Sequence, residues 1–318
     1  MSDSFVDVGR IEKAAALIDP VFRDTPQFPA PRLGDELGFE ALLKVETINP
    51  IRCFKGRGTD FLVRTSDPGE VLVCASAGNL GQGLAFAASG RGLTAKIFAA
   101  GSVNPRKLSA MRRFGASVGL VDGDFDAARD RAAEEAARHG WKLVEDGSDP
   151  PLAEGAGTIA VELTRAGARP VDHVLVPTGN GSLACGVAAW FKAVSPSTKV
   201  IAVGAAGAPA MEHAWRTGDT TPGGPTTTLA EGLAARVPAA RAVRAMRSTV
   251  DDFVLVDDGQ LVEAVRLLVR TTGLVAEPSG AAAVAAAVAL RRDLAGANVA
   301  MVITGANIAP GLLPGLPD

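Results

Sequence analysis

Short apolar runs alternate with stretches of helical periodicity along most of this chain. The runs at 42–46, 71–75, 95–99, 117–121, 142–145, 174–177, 200–204, 253–256 and 299–303 are rich in Val, Leu, Ile and Ala and predict buried strands. Between them, 126–139 and 260–272 carry apolar residues at helical spacing among charged ones, which predicts helices. Strands of this kind separated by helices pair in parallel, with the crossover helices covering both sheet faces. The pattern predicts the α/β class with doubly wound sheets. The longest apolar stretch, 280–290, is mostly alanine and too short to span a bilayer, so it reads as a buried helix. Neither an internal repeat nor a long flexible linker is visible.

Polar punctuation falls where the apolar runs stop. Asn49-Pro50 breaks the first run, and Phe54, Phe61 and Leu62 then recur at roughly helical spacing, which places Lys55 in the first turn of a helix. A helix start disfavours a cation, because its free N–H groups are already positive. A lysine held there suits a covalent carbonyl partner; alone, the segment would read as a solvated surface lysine. Ser76-Ala77-Gly78-Asn79-Leu80-Gly81 follows the run at 71–75, and Gly179-Asn180-Gly181-Ser182-Leu183 follows the run at 174–177. Glu277-Pro278-Ser279-Gly280 comes later, and Thr304-Gly305-Ala306-Asn307 closes the last run.

The glycine segment also satisfies a loose dinucleotide fingerprint, which raises a nicotinamide enzyme as a rival. That reading needs a carboxylate at the end of the next strand to hold the ribose, and the chain there reads Gly204-Ala205-Ala206-Gly207. What remains is a small-residue turn presenting backbone N–H groups at a helix start, which suits a phosphate.

In this order and at these separations the five segments resemble the fold-type II pyridoxal-phosphate enzymes, nearest the serine/threonine dehydratase and serine racemase branch. The resemblance runs from about Ile11 to about Asn307. It implies a tryptophan synthase β-like fold of two doubly wound open-sheet domains, with 1–70 and 149–318 forming the large one and 71–148 a small inserted one. It implies pyridoxal 5′-phosphate as cofactor and Lys55 as the Schiff-base lysine and catalytic base. Phe54 would lie against the ring, Asn79 would bond the ring oxygen, and Gly179, Asn180, Gly181, Ser182 and Leu183 would cradle the phosphate. Thr304 would face the ring nitrogen, and Ser76, Ala77, Gly78 and Asn79 would hold the substrate carboxylate. The implied partner is a small amino acid, and the implied assembly a homodimer. The implied reaction is α,β-elimination from a β-hydroxy amino acid such as L-threonine or L-serine. β- or γ-replacement is the alternative, with racemisation or an inactive binding protein behind it.

Several departures bear on the reaction. Where the racemases of this family carry a serine before Gly-Asn, this chain has Ala77, which transfers no proton. Leu80 stands where dehydratases commonly carry histidine, and Asn180 and Ser182 replace phosphate-loop glycines. The stretch 205–211 lacks the carboxylates of a cation site, although Glu212 is near. Little chain follows the last motif, so no carboxy-terminal regulatory domain is expected. Glu277 has two readings of equal weight: it reaches the cofactor, or it caps the helix that follows. Arg57 reads as a structural partner for an acidic neighbour.

Composition then narrows the setting. With 318 residues and 47% hydrophobic residues the chain can bury a sizeable core. A net charge of −3 without a Lys/Arg run excludes a nucleic-acid surface, and no signal peptide or membrane span appears. Cys53, Cys74 and Cys185 lack metal or disulfide spacing, which suits a reducing cytoplasm; the three histidines are scattered, and no metal is expected.

Overall fold

The computed structural model describes residues 4–165 and 169–308. Residues 1–3, 166–168 and 309–318, all inside the expected large domain, lie outside the described residues. The described strands are β1 (Gln27–Pro29), β2 (Glu40–Val45), β3 (Val71–Ala75), β4 (Thr94–Ala100), β5 (Ser117–Val121), β6 (Lys142–Leu143), β7 (His173–Pro177), β8 (Lys199–Ala205), β9 (Asp252–Val256) and β10 (Asn298–Ile303). The helices are α1 (Val8–Leu17), α2 (Pro31–Leu37), α3 (Lys55–Arg64), α4 (Asn79–Gly90), α5 (Pro105–Arg113), α6 (Phe125–His139), α7 (Pro150–Arg165), α8 (Ser182–Val194), α9 (Ala210–Thr217), α10 (Ala240–Thr249), α11 (Asp258–Thr272) and α12 (Pro278–Ala289).

Two sheets result, one in the order β1-β2-β10-β7-β8-β9 and one in the order β5-β4-β3-β6. Every pairing is parallel except β1 with β2, which is antiparallel at the sheet edge. The α/β class read from the pattern is the one observed. Strand β1 was not expected: it is three residues long and ends in Pro29, whose missing N–H is tolerated only at an edge.

Alternation along each strand explains why both faces are apolar. In β10, Val299, Met301 and Ile303 pack with α11 and α12, while Ala300 and Val302 point the other way, toward α7 and α8. In β3, Leu72 and Cys74 face α4, and Val73 faces α6. Helix α12 is the predicted alanine stretch; residues 278–287 are all buried, so no polar stripe is needed on any side.

A buried ionic group fixes α3 against the larger sheet. Arg57, fully buried, donates from Nε to Glu46 Oε2 at 2.7 Å and from Nη1 to Glu162 Oε1 at 2.6 Å. Lys44 Nζ donates to Glu162 Oε2 at 2.6 Å, and Thr25 Oγ1 to Glu46 Oε1 at 2.6 Å. Two cations and two carboxylates thus balance between β2, α3 and α7. Burial alone would raise the Glu162 carboxyl, but hydrogen bonds and charge from Arg57 and Lys44 outweigh it and hold that carboxyl below its ordinary range. Arg57 has the structural role read for it from the sequence.

Candidate active site

The expected site residues lie in turns and helix starts that follow the carboxyl ends of strands, where open α/β sheets bind ligands. Lys55 is the first residue of α3, with Phe54 as its N-cap. Asn49 shapes the loop before it, its Oδ1 accepting the Ile51 amide at 3.1 Å and its Nδ2 donating to Cys53 O at 3.1 Å. The Phe54 amide donates to Thr304 O at 2.9 Å, and the Ala306 amide to Arg52 O at 2.9 Å. These bonds lace the loop to the end of β10 and bring Lys55 and Thr304 into one site. The Lys55 ammonium lies 4.8 Å from the Phe54 ring centroid.

Lys55 Nζ donates to Asp146 Oδ2 at 2.7 Å, the two side chains being 16% and 12% exposed. Asp146 Oδ1 is buried and has no hydrogen-bond partner. The residue after it, Gly147, donates its amide to Ser182 Oγ at 2.8 Å. Gly147 has φ +81°, and a Cβ there would stand 2.2 Å from Asn180 O, so only glycine lets the two loops approach.

Between β7 and α8 the chain turns through Gly179, Asn180 and Gly181, the last at φ +96° and without a side-chain cap for the helix. The first amides of α8, at Ser182 and Leu183, are therefore free of intrahelical partners and aim out of the helix start. Ser182 Oγ accepts from Gly147 and keeps its own proton to donate.

Ser76, Ala77 and Gly78 connect β3 to α4. Ser76 Oγ accepts the amides of Gly78 at 3.1 Å and Gly81 at 2.9 Å, which folds the loop tightly. Asn79 Nδ2 donates to Glu277 Oε1 at 2.7 Å, and Asn79 Oδ1 accepts from Asn307 Nδ2 at 2.7 Å. Glu277 stands at the N-cap of α12 but its side chain makes no cap hydrogen bond; it orients Asn79 instead. Burial pushes the Glu277 carboxyl up, against the lowering effects of the Asn79 bond and the Lys107 charge. Thr304 is buried, with Oγ1 donating to Ser279 O at a long 3.4 Å.

Hydrogen bonds thus link the segments that carry the expected site residues: the Lys55 loop to Thr304, Lys55 through Asp146 and Gly147 to Ser182, and Asn79 to Glu277 and Asn307. Four further residues join them, none given a role from the sequence: Asp146, Gly147, Asn307 and Lys107, whose amine pairs with Glu231. For Asp146 and Gly147 the available signal was an acid–glycine pair just past a strand end. The cysteines take no part: Cys53, Cys74 and Cys185 are all buried, and burial pushes the Cys74 thiol up to about 12. Glu212, near the position of the family's cation site, pairs with Arg216.

A lysine amine, an aromatic face, a helix start with free amides and an uncharged strand-end hydroxyl are groups that fit a phosphorylated carbonyl cofactor in a two-sheet α/β protein. The chain belongs to the pyridoxal-phosphate-dependent enzymes, whose family model, described as "Pyridoxal-phosphate dependent enzyme", matches residues 18–305. Its cofactor is pyridoxal 5′-phosphate, and it is a lyase. It is 33% identical over 292 residues to an L-threonine ammonia-lyase of Geobacter sulfurreducens, covering 90% of this chain and 72% of the relative. The processed form of threonine deaminase isoform 2 from Solanum lycopersicum superposes with a TM-score of 0.89 at 28% identity, over 99% of this chain and 89% of that one. Maize serine racemase superposes with a TM-score of 0.90 at 25% identity, over 98% and 96%.

Proposed function

We propose that this lyase deaminates a small β-hydroxy amino acid, L-threonine or L-serine, to a 2-oxo acid and ammonia by α,β-elimination. The observation that carries the reading is Lys55: a partly exposed amine at a helix start, beside an aromatic ring and linked through Asp146 and Gly147 to Ser182 at the start of α8. In this reading Lys55 holds the cofactor covalently and moves the α-proton. Phe54, Asn79 and Thr304 would hold the cofactor ring, with an aromatic face, the second amide proton of Asn79 and a neutral hydroxyl as the groups they bring to it. Gly179, Asn180, Gly181, Ser182 and Leu183 bind the phosphate, while Ser76, Ala77, Gly78 and Asn79 bind the substrate carboxylate. Bound pyridoxal phosphate supplies the electron sink for the pair left on Cα.

Ala77 supports elimination over racemisation, because it offers no second proton-transfer group. We read residues 71–148 as a small domain inserted between 1–70 and 149–318, and the protein as a cytoplasmic homodimer. Buried, free cysteines suit that compartment, and among the described residues no helix is long and apolar enough to cross a membrane. Purified, cofactor-loaded protein is expected to release 2-oxo acid from L-threonine and L-serine without accumulating the D-isomer. D-isomer formation would replace the reading with racemisation, and condensation with an added thiol would replace it with β-replacement chemistry.

A further inference from the structure

Resting on that reading, we infer that Asp146 determines which β-substituent the site accepts: a hydrogen-bond donor, hydroxyl or ammonium, and never a carboxylate. Three observations carry this. Asp146 Oδ2 holds Lys55 Nζ at 2.7 Å, the nitrogen whose place the substrate's amine takes, so the carboxylate faces the side on which the substrate's Cα and Cβ enter. Its other oxygen, Oδ1, is already buried with no partner. And the backbone on both sides of it is pinned. The Gly147 amide is held by Ser182 Oγ at 2.8 Å, the Ser148 and Asp149 amides by Glu145 O at 3.2 and 3.1 Å, and the Glu145 amide by Asp149 Oδ2 at 2.6 Å.

When Lys55 is committed to the cofactor, its ammonium no longer serves this carboxylate. A carboxylate taken from water without a donor is costly, and no other salt-bridge cation faces Asp146 among the described residues. The substrate restores the balance by presenting a donor, and a charged donor makes the stronger bond. A β-carboxylate in the same place meets like charge. The same carboxylate thus favours serine-like and 2,3-diamino acids over aspartate-like ones.

The test is rapid-mixing absorbance titration of the cofactor-loaded protein, before product forms, with L-2,3-diaminopropionate, L-serine, L-alanine and L-aspartate. Wild type is expected to bind them in that order, tightest first. In Asp146→Asn the diaminopropionate affinity falls about tenfold or more, L-aspartate gains by a similar factor, and L-alanine is unchanged, in keeping with a charged hydrogen bond. Four affinities that shift together, or L-aspartate binding wild type as well as L-serine does, would overturn the assignment. The wild-type ranking decides the matter even where the variant loads cofactor poorly. Absence of 2-oxo acid from L-serine would instead remove the elimination reading and leave the ranking to judge Asp146 alone.

Discussion

At Glu277, burial and hydrogen bonding pull the carboxyl in opposite directions, and burial wins. The folded chain therefore keeps that proton through a pH range in which the unfolded chain has released it. The stability from this difference is complete below the ordinary carboxyl range and is lost as pH rises through the raised folded value. Glu277→Gln retains an acceptor for Asn79 Nδ2 without the charge. The variant is expected to unfold at a higher temperature than wild type at neutral pH, and at the same temperature below about pH 4. Thermal unfolding of cofactor-free protein checks this; equal midpoints at neutral pH would contradict it. Ala77 supports a second residue-scale expectation. Ala77→Ser places a hydroxyl where the loop approaches the substrate, and chiral chromatography should then detect D-serine formed from L-serine. Asp146 shows the limit of residue-by-residue reading: it meets Lys55 only through tertiary folding, 91 positions away in the chain. No local pattern announces such a pair.

Elements place these residues, and two joints matter most. The first is the Arg57 group between β2, α3 and α7. Arg57→Met leaves Glu46 and Glu162 buried with one cation between them, and the expected cost is about 3–5 kcal/mol in chemical denaturation. A loss under about 1 kcal/mol would show that solvent reaches the group. The second is the contact between Gly147 and the α8 turn. Gly147→Ala drives a methyl against Asn180 O and strains a left-handed backbone, so cofactor affinity should fall at least about tenfold. Cofactor titration by visible absorbance measures it. Strands were largely legible, because parallel strands covered on both faces are continuous apolar runs, as in Val71–Ala75, which matches its run residue for residue; Ser117–Val121 also matches, although it lies at a sheet edge with no residue fully buried. The run at 142–145 shrank to Lys142–Leu143 because β6 pairs only with β3, at a sheet edge. The motif turns were legible because glycine and asparagine mark strand-to-helix turns. The second partners of those turns, such as Asn307 for Asn79, were not.

For the whole molecule, the candidate site draws on both sheets: Ser76 and Asn79 follow β3 of the smaller one, while Gly179 and Thr304 follow β7 and β10 of the larger. Lys107–Glu231, Asn79–Glu277 and Arg236–Asp126 pair across the two. A cofactor bound there ties the sheets together and stabilises the native state by mass action, about 2.7 kcal/mol at a hundredfold excess over its Kd. Pyridoxal phosphate is thus expected to raise the unfolding temperature of wild type, and to raise it less for Lys55→Ala. The most direct test of the account compares wild type with Lys55→Ala for 2-oxo acid release from L-threonine and L-serine, alongside the visible absorbance of lysine-bound cofactor. The account predicts both signals in wild type and neither in the variant. Absorbance without 2-oxo acid in wild type, or undiminished release by Lys55→Ala, would contradict it.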